Sequence, residues 1–302
     1  MPRMDRLQAM EVFVAVVDSG GFASAARRLD LSASVVTRAV AELEARLGVR
    51  LLTRTTRAVR VTEAGARYAE DCRRILSDIG DSESATSGAS RKIQGLLSVT
   101  APVLFGNLHV TPIVTDYLRR YPDVDAQCVF VDRVVNLVDE GLDVAVRIGE
   151  LPDSTLKAVA VGRVRRVLVA TPGYLAAQGH PQRPEDLARH VLIQPTQVAP
   201  FPEWRFVEGG RPLVQRIQPR LRTTTNDAAR SAALSGLGIT RLLSYQAADA
   251  LARGELLPVL EDFELPPLPV HVVHHENRHA TQKVRAFIDL AVDMLRANPA
   301  LR

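Results

Sequence analysis

Residues 20–65, GGFASAARRLDLSASVVTRAVAELEARLGVRLLTRTTRAVRVTEAG, constrain this chain more than any other stretch. Phe22, Ala25, Ala26 and Leu29 recur at i, i+3, i+4 and i+7, the spacing of one buried helical face. Leu31-Ser32 interrupts that pattern, and Ser32 is suited to cap a second helix running to about Leu47. There Val36, Val40, Leu43 and Leu47 form an apolar stripe. At about 100° per residue, Ser34, Thr37, Arg38, Ala41 and Ala45 fall on the opposite face. Gly48 stops the helix. Beyond it Arg54, Arg57 and Arg60 alternate with Leu51, Leu52, Val59 and Val61, which reads as a two-stranded ribbon with a basic turn.

An Ala-rich helix pair or an Arg-rich hairpin is, taken alone, ordinary structure. Their order and spacing together describe a winged helix-turn-helix, whose second motif helix enters a major groove. Short hydroxyl side chains and an arginine near the start of that helix suit close approach to base edges. Ser32, Ser34, Thr37 and Arg38 are the expected DNA contacts on the helix, and Arg54, Arg57 and Arg60 those on the wing.

The blocks MEVFVAVVDSGGFASAARRL (10–29), LSASVVTRAVAELEARLG (31–48) and LLTRTTRAVRVTEAG (51–65) occur in an order that resembles the DNA-binding domain of LysR-type transcriptional regulators. Two positions depart from the pattern of that family. Gly21 stands where a Ser usually caps the second helix, and Gly caps nearly as well. Ala33 replaces a Gln that often reaches a base, which leaves Ser34, Thr37 and Arg38 as the expected readers.

Composition adds bounds rather than identity. A chain of 302 residues is expected to hold two or three domains. The formal charge of +4 would not by itself suggest nucleic acid. Lys92, Lys157 and Lys283 are the only lysines, so the basic side chains are almost all arginine, the residue suited to bidentate contacts. Cys72 and Cys128 lie far apart with neither metal nor disulfide spacing, and no run approaches a membrane span. A reducing cytoplasm, with the nucleoid as the place of action, is the expected setting.

Ahead of the motif, Leu7, Met10, Val14 and Val17 mark a first helix. After the wing, Thr62-Glu63-Ala64-Gly65 opens a helix to about Glu83, in which Gly65, Tyr68, Cys72, Ile75, Ile79 and Ser82 follow heptad spacing. Spacing alone leaves open whether this face packs on its own domain or on another subunit. The resemblance implies the second, with Tyr68, Cys72, Ile75 and Ile79 in the subunit contact of a homodimer or homotetramer. Gly80–Ser90 is rich in Gly, Ser and Ala and reads as a joint.

From Lys92 strand-like runs (96–101, 124–131, 143–149, 163–170, 191–194, 236–242 and 269–275) alternate with helical stretches, including Leu104–Arg120 and Val134–Glu140. That alternation argues for α/β structure with a mostly parallel sheet. RYPDV (120–124), EGLDVAVRIG (140–149), ATPGYLAAQG (170–179) and SGLGITRL (235–242) resemble the effector-sensing domain of the same family, whose architecture is that of periplasmic binding proteins. The expected whole is an α+β multidomain chain. Residues 4–62 form the winged helix-turn-helix, 63–90 the linker or dimerisation helix and hinge, and 91–302 a two-lobed α/β effector domain. Lobe I takes about 91–161 and 267–302, and lobe II about 162–266.

Ligands of open α/β sheets sit beyond the carboxyl ends of strands. Ala101, Pro102, Asp132 and Gly149 are candidates on one lobe, and Gln194, Thr196, Thr225 and Asn226 on the other. The TTND turn (224–227) can hold a carboxylate at a helix N-terminus, or Thr225 can merely cap its own helix. The resemblance implies double-stranded operator DNA and a small effector, such as a carboxylic acid, as partners, with RNA polymerase as a candidate contact. No cofactor is expected. His271, His274, His275 and His279 cluster but lack a nearby Cys or carboxylate set, which disfavours a metal. Cys128, flanked by Val129, Phe130 and Val131, is expected to be buried and inert. The alternative, an enzyme or small-molecule-binding protein with an accessory DNA-binding domain, lacks a phosphate loop, a nucleophile elbow, a zinc motif or a dinucleotide fingerprint.

Overall fold

The computed structural model describes residues 4–54, 59–86, 93–151, 156–195, 203–275 and 281–302. The chain divides into two compact units, Met1–Leu96 with Asp123–Asp125, and Leu97–Pro122 with Ala126–Arg302.

The first unit contains α1 (Arg6–Asp18), α2 (Phe22–Arg28), α3 (Ala33–Leu47), β1 (Leu52–Arg54), β2 (Val59–Val61) and α4 (Glu63–Thr86). Strands β1 and β2 pair antiparallel, Leu52 opposite Val61. The apolar faces read from the sequence meet in one core, where Phe13, Val16, Ala25, Val36, Val40 and Leu43 are buried together. Leu47 is an exception. It is 40% exposed because α3 ends at Gly48, beyond the edge of that core.

The wing is tied at both ends. Glu44 of α3 accepts the backbone N–H groups of Leu51 (2.7 Å) and Leu52 (2.9 Å) through Oε1. Thr62 donates to the carbonyls of Arg50 and Leu51 and accepts the N–H of Gly65, so one hydroxyl closes the ribbon and caps α4. Gly65 is required there: a Cβ would lie 2.0 Å from the carbonyl oxygen of Leu51.

The second unit is built on two five-stranded sheets. One has the order β4-β3-β5-β14-β6, from β3 (Gly95–Ala101), β4 (Val124–Phe130), β5 (Val144–Ile148), β6 (Leu156–Val164) and β14 (Leu268–His275). The other has the order β11-β8-β12-β7-β13, from β7 (Arg166–Ala170), β8 (Leu192–Pro195), β11 (Leu221–Thr223), β12 (Ile239–Leu243) and β13 (Leu257–Val259). A separate hairpin joins β9 (Glu203–Glu208) to β10 (Arg211–Arg216). Helices α5 (Val103–Phe105), α6 (Thr111–Arg120), α7 (Pro172–Gln178), α8 (Asn226–Leu234), α9 (Ser244–Ala252) and α10 (Gln282–Ala297) complete the unit.

The sheets are mixed rather than mostly parallel. β3 runs parallel to β5, and β8 parallel to both β11 and β12. β14 is antiparallel to β5 and β6, and β7 antiparallel to β12 and β13. The antiparallel partners are strands at the two places where the chain passes between sheets, β6 to β7 and β13 to β14. Arg165, between β6 and β7, bonds Glu264 of the second passage at 3.0 Å. Its backbone also exchanges hydrogen bonds with Ser244, N–H to Oγ (3.1 Å) and carbonyl from N–H (2.8 Å).

Two further expectations are corrected. Residues 134–136 are irregular and 137–141 form turns, not a helix. Asn136 accepts the N–H of Val138 and donates to Asp139, a local arrangement that competes with the helical ladder. Cys128 is exposed, because β4 is an edge strand whose outer side chains are left uncovered.

Candidate functional site

On the first unit, Ser32 caps α3 by accepting the N–H of Val35 at 3.3 Å, and its hydroxyl lies 2.9 Å from that of Ser34. Ser34 and Arg38 are exposed and Thr37 half-buried, so all three reach the surface opposite the Val36/Val40/Leu43 stripe. Arg38 is steered by Glu42 (2.7 Å), an exposed pair one turn apart. Arg60 is exposed on β2. Arg54 belongs to β1, and Arg57 lies outside the described residues.

The linker helix α4 corrects one expectation. Cys72 is fully buried within this chain, among the core residues of its own domain, and Tyr68 stacks against Phe13 at 5.7 Å. Burial accordingly raises the thiol pKa of Cys72. Ile75 also packs on this core. The start of the heptad face is therefore occupied by the helix's own domain, and Ile79 is the member of the set not drawn into that core.

In the second unit a cavity of about 980 Å³ lies between the two sheets and the β9–β10 hairpin. Pro102, Asp132 and Asn226 line it, as expected from their strand ends. The other candidates are placed elsewhere. Ala101 is buried at 2% exposure, and Gly149 turns the chain with its N–H on the carbonyl of Pro269. Gln194 is buried and accepts the indole N–H of Trp204 at 2.6 Å, a bond inside the lobe core. Thr225 caps its own helix, accepting the N–H of Ala228 at 3.2 Å. None of these four lines the cavity. Thr196 lies outside the described residues.

Asp132 is already engaged, since its Oδ1 accepts the N–H of Val103 at 3.0 Å. It does not pair with Arg147, whose guanidinium donates instead to the carbonyl of Val135.

The residues that dominate the cavity are arginines. Arg133, Arg147, Arg166, Arg205 and Arg241 line it against Asp132, Glu150 and Glu203, a surplus of two positive charges. Arg133 is bound by Glu140 at 2.7 Å, and Arg205 lies 3.8 Å from Glu203. Arg166 and Arg241 have no such partner among the described residues. Leu243 pairs with Arg166 and Arg241 with Leu168 across β7 and β12, so the two arginines share a face on the diagonal. Burial, with Arg166 beside it, pulls the Arg241 pKa down to about 10. Burial lowers Arg166 as well. The guanidinium of Arg241 lies 5.5 Å from the centre of the Trp204 ring, which supplies some compensation but no countercharge.

The signal for this pair was faint in sequence. RVRRVLVA (163–170) and GITRLL (238–243) each carry an arginine inside an apolar strand, but their 75-residue separation hides the register that joins them.

Residues 7–66 match the model of the bacterial regulatory helix-turn-helix protein, lysR family, and residues 90–296 that of the LysR substrate binding domain. The regulator CrgA of Neisseria meningitidis is 33% identical over 293 residues, covering 96% of this chain and 97% of its own. The solved structure of CrgA superposes with a TM-score of 0.61 at 32% identity, covering 97% of this chain and 99% of that one. Full-length AphB, a virulence activator of Vibrio cholerae, gives a TM-score of 0.61 at 28% identity over 96% and 99% of the two chains. Two family models that together span nearly the whole chain, in the order of the two structural units, leave one assignment: the chain belongs to the LysR family of DNA-binding transcriptional regulators.

Proposed function

We propose that this LysR-type regulator responds to an organic anion bound in the cavity between its two sheets. The observation that carries the reading is the Arg166–Arg241 pair, two half-buried guanidinium groups with no carboxylate on either among the described residues. Like charges confined in a partly dry site are costly unless a ligand supplies the countercharge. A carboxylate matches the planar donor fork of arginine and would relieve both groups at once.

In the same reading Ser34, Thr37 and Arg38 meet base edges while Arg54, Arg57 and Arg60 hold phosphates, and Ser32 fixes the start of the reading helix. The face of α4 that carries Ile79 pairs two subunits, and the protein acts on the nucleoid in the cytoplasm. The direct test is a thermal-shift screen of small carboxylic acids against the full-length protein. Hits should raise the midpoint by several degrees at about 100 times their dissociation constant, and Arg241→Gln should abolish the shift. Absence of any Arg241-dependent shift across the acids would remove the anion from the reading and leave the family assignment standing.

A further inference from the structure

The cavity has a second cationic pole. Arg147 lies on β5 of the first sheet, whereas Arg166 and Arg241 lie on β7 and β12 of the second, and all three line the same space. Arg147 has no carboxylate within 4.0 Å among the described residues. Its one bond goes to the neutral carbonyl of Val135, which satisfies a donor but not the charge. Glu150 lines the cavity without reaching Arg147, and the two other nearby acids bond elsewhere. Glu140 holds both ends of Arg133, and Asp132 accepts the Val103 N–H. Burial lowers the Arg147 pKa, as it does for the other two, with Glu140 opposing from beyond ion-pair distance. The lining shared with these arginines includes Val131, Val135, Leu156 and Val273 from the first sheet and its loops, and Phe206 and Leu213 from the hairpin. A single carboxylate on the Arg166–Arg241 pair would leave Arg147 with no direct ion pair among the described residues, only the longer-range attraction of Glu140.

We infer that the effector is a dianion with an apolar midsection, one acidic group on Arg147 and the other on Arg166 and Arg241, so that it bridges the two sheets. The inference rests on the anion reading above and specifies its ligand class.

The test is calorimetric titration of the full-length protein with α,ω-dicarboxylic acids from succinate to sebacate, each beside its monomethyl ester. One chain length should bind best, and its monoester should bind about tenfold more weakly or worse, the effect of one lost charge-assisted contact. Arg147→Gln keeps a donor for the Val135 carbonyl but removes the charge. It should bring the diacid-to-monoester ratio close to one while changing monoester affinity less than about threefold, and Arg147→Lys should restore part of the ratio. Arg241→Gln should weaken diacid and monoester alike. Equal binding of diacid and monoester, or a ratio that survives Arg147→Gln, would overturn the dianion even if binding still depends on Arg241. If no diacid binds at all, the dianion fails, and the thermal-shift screen decides separately whether a monoanion remains.

Discussion

Arg166 and Arg241 stand diagonally across two antiparallel strands with their guanidinium groups on one face and, among the described residues, no carboxylate on either. Arg73, another half-buried arginine, is by contrast balanced by Asp18. Leaving two together unbalanced lowers the stability of the unliganded fold. Arg166→Gln should therefore leave the ligand-free melting midpoint unchanged or raise it, by up to about 1 kcal/mol of stability, while weakening anion binding. A clear loss of ligand-free stability in a denaturant melt would show that the pair is structural.

Glu44 of the reading helix holds the first two N–H groups of the wing strand. Glu44→Ala leaves both without that acceptor and should cost about 1–3 kcal/mol of stability. Because the wing then loses its fixed angle to α3, DNA affinity should fall further than the stability loss explains at a temperature where the protein is fully folded. Titration of operator DNA at that temperature, beside a urea melt, separates the two effects.

Gly65→Ala tests the start of α4. In an exposed helix the change would stabilise by about 1 kcal/mol. Here the new methyl would meet the Leu51 carbonyl at 2.0 Å, backbone against side chain, and the ribbon must shift. The expected result is a loss of about 1–3 kcal/mol, read by thermal melting. A gain in midpoint would show that this junction is looser than the geometry indicates.

The stability of the effector half should fall on mild acidification. His109 packs against the rings of Phe105 and Tyr245, and Asn298 donates to its Nδ1, so the neutral ring carries its proton on Nε2, which is buried without a partner. Burial holds its pKa below the usual histidine value, with Asp249 opposing, and burial lowers His190 in the same direction. The unfolded chain thus binds the proton first, and stability decreases as pH falls from about 6.5 towards the depressed folded value. Each such group contributes at most about 1.4 kcal/mol per pH unit within that window. His109→Gln should flatten the midpoint-versus-pH curve between those limits, and a curve of unchanged slope would assign the dependence to other groups.

The first unit was legible because its signals are local. Ser32 and Gly48 mark the ends of α3 by short-range chemistry, and Val36, Val40 and Leu43 share a face by periodicity alone. The same locality misplaced Cys72. Heptad spacing identifies an apolar face but does not say what covers it, and here α1 reaches it first. In the second unit strand positions could be read from apolar runs, while strand direction could not. The cavity was half legible. Strand-end positions led to Pro102, Asp132 and Asn226. They also led to Thr225, whose hydroxyl is consumed by its own helix, and to Gln194, whose amide is consumed by Trp204. Arg166 and Arg241 escaped because their meaning arises from register between distant strands, and no single segment contains it.

Arg165, in the first passage of chain between the sheets, holds Glu264 of the second and the start of α9 at Ser244. The side-chain and backbone groups of Arg165 thus join three segments that sequence separates by 79 and 99 residues. One residue at the junction of the two sheets therefore fastens the return of the chain to its departure, so a substitution there loosens both ends of the effector unit at once.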